Sequence, residues 1–277
     1  MLAREFRTAS STVLRRYHDR RFRALFGVSV DICVALWLHI QSHIVGNAIR
    51  PKHLLWALHF MKENPTEISG SSKWGVDPGT WSQHVQRVLR LLHRWLPALP
   101  WSLRNTGAIN GVLTGIVDVT RVKIEKPALH PWEYYSKYDN FHALKFEVVV
   151  SAMKPHLIIW VSGPWKGAVS DITIARELLI PSLGEGERLM GDKGYAGEPA
   201  KIITPISGRD LTRDDRAFNR RHNSVRQVVE RALQRVKRWK CLSETWRRDL
   251  GECEVAFHVI CGITNFQFVR GEPLTVD

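Results

Sequence analysis

The chain has 277 residues, 44% of them hydrophobic, enough to bury one large core or two modest ones. Its 40 Lys and Arg against 27 Asp and Glu give a formal charge of +13 and a pI near 9.9, which favours a polyanionic partner without speaking to the fold. The four cysteines form no CxxC and no regular framework, so a disulfide scaffold is excluded and a reduced, intracellular protein is expected.

The N-terminus carries charge but no apolar core of a secretory signal. Its Arg and Ser content is compatible with an organellar presequence, against which Glu5 and Asp19 argue. Apolar residues then recur at helical spacing over 28–44 and over 51–63, where Pro51 suits a first turn. The apolar run 32–45 is broken by His39, Gln41 and His43, so it reads as a buried helix and not a membrane span. A short polar stretch, PTEISGSSKWG, allows a brief helix and a glycine turn. The next helix starts with Asp77 as N-cap and Pro78 in its first turn. Thr80, Gln83, His84 and Arg87 share its polar face, a helix-turn-helix-like arrangement that an all-α packing region would match nearly as well.

Pro97 and Pro100 mark a boundary, dividing a helical region, 1–100, from an α/β domain, 101–277. The runs 111–119, 145–153 and 157–162 are β-rich, a helix covers 171–179, and short strands are expected at 188–190 and 201–204. A long helix follows, with Val225, Val228, Val229, Ala232, Leu233 and Val236 as its apolar stripe. Three strands, helix, strand, strand, helix is the order of a ribonuclease H-like fold, a mixed five-stranded sheet with flanking helices. Cys253, His258 and Cys261 match no closed zinc pattern and read as core.

In that order Asp118 ends the first strand, Asp192 ends the fourth, and Glu230 lies on the last helix, so all three carboxylates converge. Such a group repels itself unless divalent cations neutralise it, and two ions roughly 3.5–4 Å apart suit phosphodiester chemistry. Taken singly, the residues have plainer readings. Asp118 closes a strand, Asp192-Lys193-Gly194 is a turn, and Arg226 with Glu230 is an i, i+4 surface pair.

The segments GIVDVTRVKIEKP, YYSKYDNFHALKFEVVVS, WVSGPWKGAVSDITIAR, GDKGYAGEP and FNRRHNSVRQVVERALQRVKRWKCL, within 111–242, resemble the PIF/Harbinger transposases of the DDE superfamily, domesticated Harbinger-derived proteins included. The last segment keeps an arginine, three residues, the glutamate, six residues and a lysine. The resemblance implies Asp118, Asp192 and Glu230 as the catalytic metal-binding triad, with Asp171 as a fourth acidic ligand whose plainer reading is a helix N-cap. It implies Mg²⁺ or Mn²⁺ as two ions and no organic cofactor. Arg226 and Lys237 would contact phosphates, with Lys193 and Arg121 as further nucleic-acid-binding positions. Two departures stand out: Val119 where a small residue is usual, which would crowd the metal site, and Arg121 where an acid or histidine is common.

The activity so implied is cleavage at transposon ends and strand transfer, with terminal-repeat and target DNA as partners. A Myb-like accessory protein, a homodimer pairing two ends and a nuclear location (cytoplasmic without the partner) are also implied, with no membrane association. A domesticated DNA-binding protein without cleavage is the alternative; an RNA-directed enzyme has only the shared fold behind it. Trp132, Tyr134, Tyr135 and Tyr138, near Lys137 and Lys145, would either stack on unpaired bases or staple a loop to the sheet.

Overall fold

The structure, a computed structural model, describes residues 12–46, 48–96, 100–102, 104, 108–109 and 112–271, with side chains from residue 18 onward. Glu5, Pro97, Gly111 and the side chains of Arg15 and Arg16 lie outside the described residues. In chain order come helices α1 (Thr12–Phe26), α2 (Val30–Ile40), α3 (Pro51–Glu63), α4 (Glu67–Trp74) and α5 (Pro78–Trp95). Then follow β1 (Leu113–Lys123), α6 (Pro131–Tyr134), β2 (Tyr135–Ser136), β3 (Phe141–Ser151), β4 (Ile158–Lys166) and α7 (Asp171–Ile174). The chain continues with β5 (Arg188–Met190), β6 (Ile202–Ile203), α8 (Arg213–Val236), α9 (Lys240–Ser243) and α10 (Leu250–Val269).

Packing divides these elements into two units. The first gathers the described residues before 97 with 237–244 and 248–263; the second gathers the described residues of 98–236 with 245–247 and those from 264 on.

The first unit is helical, and its ends follow local chemistry. Asp77 accepts the Thr80 N–H at 2.9 Å and Pro78 opens α5, as the N-cap and proline pattern demands. The polar stretch before it does form a helix, α4, closed by Gly75 in the left-handed region (φ 63). A side chain at Gly70 would strike the fully buried Trp81 ring at 2.5 Å, so the α4–α5 approach requires glycine there. Ile32, Cys33, Leu36 and Ile40 of α2 are buried, and no single described helix is long and apolar enough to cross a membrane. Thr80, Gln83 and Arg87 are exposed on α5, whereas His84 stacks on the His53 ring at 3.8 Å.

The second unit is mixed α/β. β1 lies between β3, to which it is antiparallel, and β5, to which it is parallel. β6 runs parallel to β5, and β4 and the two-residue β2 both pair antiparallel with β3. β3 is buried without a break from Ala143 to Val150 because it pairs on both edges and is covered on both faces. It starts earlier than the expected 145, since the polar His142 hides the strand pattern. β1 likewise runs on through Arg121 to Lys123.

The β1–β5 pairing is pinned at its start by Glu187, which is only 6% exposed. Its carboxylate accepts from Thr114 Oγ1 on β1 at 2.8 Å, from Gly184 N–H at 2.8 Å, and from Arg104 Nε and Nη2 at 2.8 and 3.1 Å. Removing one partner of such a pair strands a charge in the interior. Arg104→Ala is therefore expected to lower stability by about 3 kcal/mol in chemical denaturation. A loss below about 1 kcal/mol, the range of a solvated pair, would show that Glu187 does not depend on Arg104.

Candidate active site

Ile116 on β1 stands opposite Met190 on β5. Two residues further on, in phase with the pleat, stand Asp118 and Asp192. Asp118 Oδ1 accepts its neighbour Val119 N–H at 2.8 Å, and Asp192 Oδ1 accepts the Gly194 N–H at 2.8 Å, closing the turn Lys193–Tyr195. The turn reading of Asp192 and its place beside Asp118 are thus both realised. A methyl group on Gly194 would lie 2.9 Å from Asp192 Oδ1 and 3.2 Å from Asp171 Oδ2. Glycine keeps open the space that these two carboxylates face.

Asp171 is the first residue of α7, but Ser170 is the N-cap, its hydroxyl accepting the Thr173 N–H at 3.3 Å. The Asp171 carboxylate is free for other partners. Its Oδ1 takes a hydrogen bond from the buried Lys145 ammonium at 2.9 Å, and its Oδ2 lies 3.9 Å from Arg121 Nη2. Lys145 also donates to the Val169 carbonyl at 2.6 Å, which fixes it in place. Arg121 pairs more closely with Asp139, at 3.0 Å, and lies 5.5 Å from the Tyr138 ring centre.

α8 brings the last carboxylate. Val228, Val229, Ala232, Leu233 and Val236 are buried as the stripe requires, with Val225 half-buried. Asn219 exchanges hydrogen bonds with both backbone groups of Ile206, and the His222 ring bonds the Ile203 carbonyl at 3.1 Å, tying α8 to the end of β6. Arg226 Nη2 then lies 3.4 Å from Glu230 Oε1 and 3.9 Å from Asp118 Oδ2. The i, i+4 pair exists, and it also reaches the first strand's aspartate. Lys193 is exposed on its turn. Lys237, one residue beyond α8, belongs to the helical unit and donates to the Leu242 carbonyl at 2.8 Å.

Burial, and next the negative charge of Asp192, push the Asp118 carboxyl up to about 6; Arg226 and the Val119 N–H offset part of this. Glu147, fully buried on β3, is pushed up to about 8 by burial, although the Ser162 hydroxyl donates to it at 3.3 Å. Tyr195 is wholly buried, and its phenol is raised well above its ordinary value by burial. It packs in the core with Val117, Val119, Leu189 and Ile202. Val119 therefore turns into the apolar core, while Asp118 alternates to the other side of the strand.

Lys145 and Glu147 are the members of this neighbourhood whose roles the sequence left unread. Their signal was a Lys and a Glu on one face of the otherwise apolar run KFEVVVS. Cys253 and Cys261 are buried free thiols, and His258 faces His93 edge-on at 5.5 Å. Trp132 and Tyr138 are exposed, Tyr134 is half-buried, and Tyr135 meets His142 edge-on at 5.4 Å.

Among the described residues no three or more His, Cys, Asp or Glu side chains gather closely enough to hold a metal ion. The positive charge near the carboxylates comes from Arg226, Lys145 and Arg121. The donor set nevertheless fits a hard divalent cation: carboxylate oxygens that feel one another's charge, with the space beside Gly194 left open.

The Asp118 carboxyl binds its proton more tightly folded (about 6) than at its ordinary 3.8, so the wild type gains stability as pH falls from 7 towards 4. Asp118→Asn, which keeps the Val119 N–H bond, is expected to be more stable than wild type at pH 8, by at most about 3 kcal/mol, and so to melt higher. That advantage should vanish near pH 4; a pH-independent difference in thermal melts would contradict it.

Residues 117–265, more than half of the chain, match the family of DDE superfamily endonucleases. Over 233 residues the chain is 25% identical to a probable transposase for insertion sequence element IS702 of Microchaete diplosiphon, covering 79% of this chain and 82% of that one. It is 24% identical over 236 residues to Protein ALP1-like of Arabidopsis thaliana, covering 76% of this chain and 57% of the relative. No solved structure matches the chain. With its carboxylates set on β1, on the turn after β5 and on α8 inside the matched region, the chain belongs to the DDE superfamily endonucleases.

Proposed function

We propose that this protein is a transposase-type DNA endonuclease of the PIF/Harbinger kind, built on a ribonuclease H-like domain. The observation that carries the reading is the placement of Asp118 and Asp192 two residues beyond a paired position of the parallel strands β1 and β5, within the region that matches DDE superfamily endonucleases. Asp118, Asp192 and Glu230, assisted by Asp171, would hold Mg²⁺ or Mn²⁺. When bound, the ions supply positive charge to the attacked phosphate and to the oxygens that enter and leave it. Arg226 would exchange its carboxylate partners for a phosphate, and Lys193, Arg121 and Lys237 would hold the DNA backbone. Water attacks the phosphorus at a transposon end, the bond to the 3′ oxygen breaks, and that oxygen departs as a hydroxyl. The hydroxyl then attacks a target phosphodiester in the same manner.

The exposed face of α5, with Thr80, Gln83 and Arg87, would contribute to DNA recognition. Nuclear action with a Myb-like partner, and pairing of two ends by a homodimer, belong to the same reading. The second reading, a DNA-binding protein that no longer cuts, draws on one observation: Arg226 stands between Asp118 and Glu230 in place of a bare carboxylate trio.

Two measurements separate them. Duplex DNA carrying the element's terminal repeats should be cut by the wild type in Mg²⁺, leaving a 3′-hydroxyl, whereas Glu230→Ala should bind the same DNA without cutting it. Millimolar Mg²⁺ should stabilise the wild type, by about 2.7 kcal/mol at a hundred times its Kd, raising its melting temperature, and leave Asp192→Asn unmoved. Wild type that binds the repeats, ignores Mg²⁺ and cuts nothing is the outcome that establishes the second reading.

A further inference from the structure

The cleavage reading makes no use of a cavity of about 630 Å³ in the α/β unit, whose wall includes Arg121 and Lys145, both close to Asp171. Its volume is in the range of small-ligand sites. Trp132 and Tyr138 line it while 67% and 86% exposed, so two large aromatic faces are left in water beside it. Lys126 and Lys137 supply positive charge, and among the described lining residues there is no Asp or Glu. Asp139 and Asp171, which touch this lining, are already paired with Arg121 and Lys145. Flat apolar faces ringed by cations suit a ligand that is itself flat, aromatic and anionic, which describes a nucleotide.

The geometry points to a binding site for an unpaired nucleotide of a DNA strand, its base against Trp132 and Tyr138 and its phosphates on Lys137 and Lys126. A base within a duplex has both faces covered by its neighbours, so only an unpaired one can use the aromatic faces. A strand is favoured over a free nucleotide because Arg121 and Lys145 belong to the cavity wall and also face Asp171. The cavity wall therefore adjoins one of the candidate carboxylates, where a strand would lie. The placement beside a scissile phosphate rests on the function proposed above; the binding itself does not.

Fluorescence anisotropy on the full chain in EDTA tests this, with oligo(dT), a blunt duplex, and the same duplex carrying a few unpaired nucleotides at one end. Oligo(dT) and the tailed duplex should bind tighter than the blunt one. Trp132→Ala and Tyr138→Ala should each weaken that binding by about five- to a hundredfold, leave blunt duplex unchanged, and be largely rescued by Phe. Lys137→Ala should flatten the dependence of log K on log salt by roughly 0.7. Both aromatic side chains are exposed, so the variants are expected to fold, and unchanged thermal melts confirm it. The proposal is overturned if the Ala variants bind oligo(dT) like the wild type, or if the tailed duplex binds no better than the blunt one. It also falls if thymidine monophosphate binds as tightly as oligo(dT) with the same dependence on Trp132. Oligo(dT) binding that persists in Asp118→Asn while no form of the protein cuts DNA would sink the cleavage reading alone.

Discussion

Negative charge held out of water beside the β1–β5 pair is the constraint around which the α/β unit is arranged. Asp118 lies four-fifths buried within electrostatic reach of Asp192 and Asp171, and its raised proton affinity measures the strain of that arrangement. Carboxylates so placed separate unless something holds them. The backbone does much of the holding. The parallel β1–β5 register sets two of them in phase, a three-residue turn bonds one of them to Gly194, and the Ser170 cap releases the third from capping its own helix. Cations complete the balance, Lys145 from within the sheet and Arg226 from the helix across it.

This division changes how the net charge of +13 should be understood. Arg104, Arg121, Lys145 and Arg226 are engaged with carboxylates of the unit that carries them, so they neutralise local charge before they offer any to a partner. The uncommitted positive surface lies elsewhere, notably at Arg209, Arg213, Arg216, Arg220 and Arg221, all exposed at or near the start of α8. A salt-dependent attraction for DNA would draw on that set first.

Elements whose pattern is self-contained were legible in the sequence. The α5 start was written in Asp77-Pro78, and the stripe of α8 and the five main strands were read from periodicity. The ends of β1 and β3 were not, because Arg121 and His142 sit in strands for reasons that lie in their partners. The site divided in the same way. Strand order set Asp118 beside Asp192, but Asp118 was expected to end the first strand and instead lies within β1, which runs on to Lys123. That Ser170 caps α7, that Lys145 answers Asp171, and that Val119 faces the core and not the carboxylates depend on contacts between segments far apart in the chain. The separation of Lys237 from α8 by packing unit is of this kind too: a spacing of six residues shows which residues recur, not which body they join.

The two counter-cations are not equivalent, and the difference bears on how the site could act. Lys145 is buried and bound at 2.6 and 2.9 Å to a carbonyl and a carboxylate, the lengths of strong charge-assisted hydrogen bonds, so withdrawing it would leave both acceptors unsatisfied. Arg226 stands off at 3.4 and 3.9 Å from its two carboxylates, beyond ordinary hydrogen-bond length, and Glu230 is nearly half exposed. Its attraction is mostly Coulombic and is readily exchanged for that of another anion of higher charge. A phosphate arriving with its own counter-ions offers that exchange, since it would relieve the carboxylates and engage the guanidinium in one rearrangement. Lys145 thus belongs to the framework that keeps the acids together, whereas Arg226 is held by longer and weaker contacts.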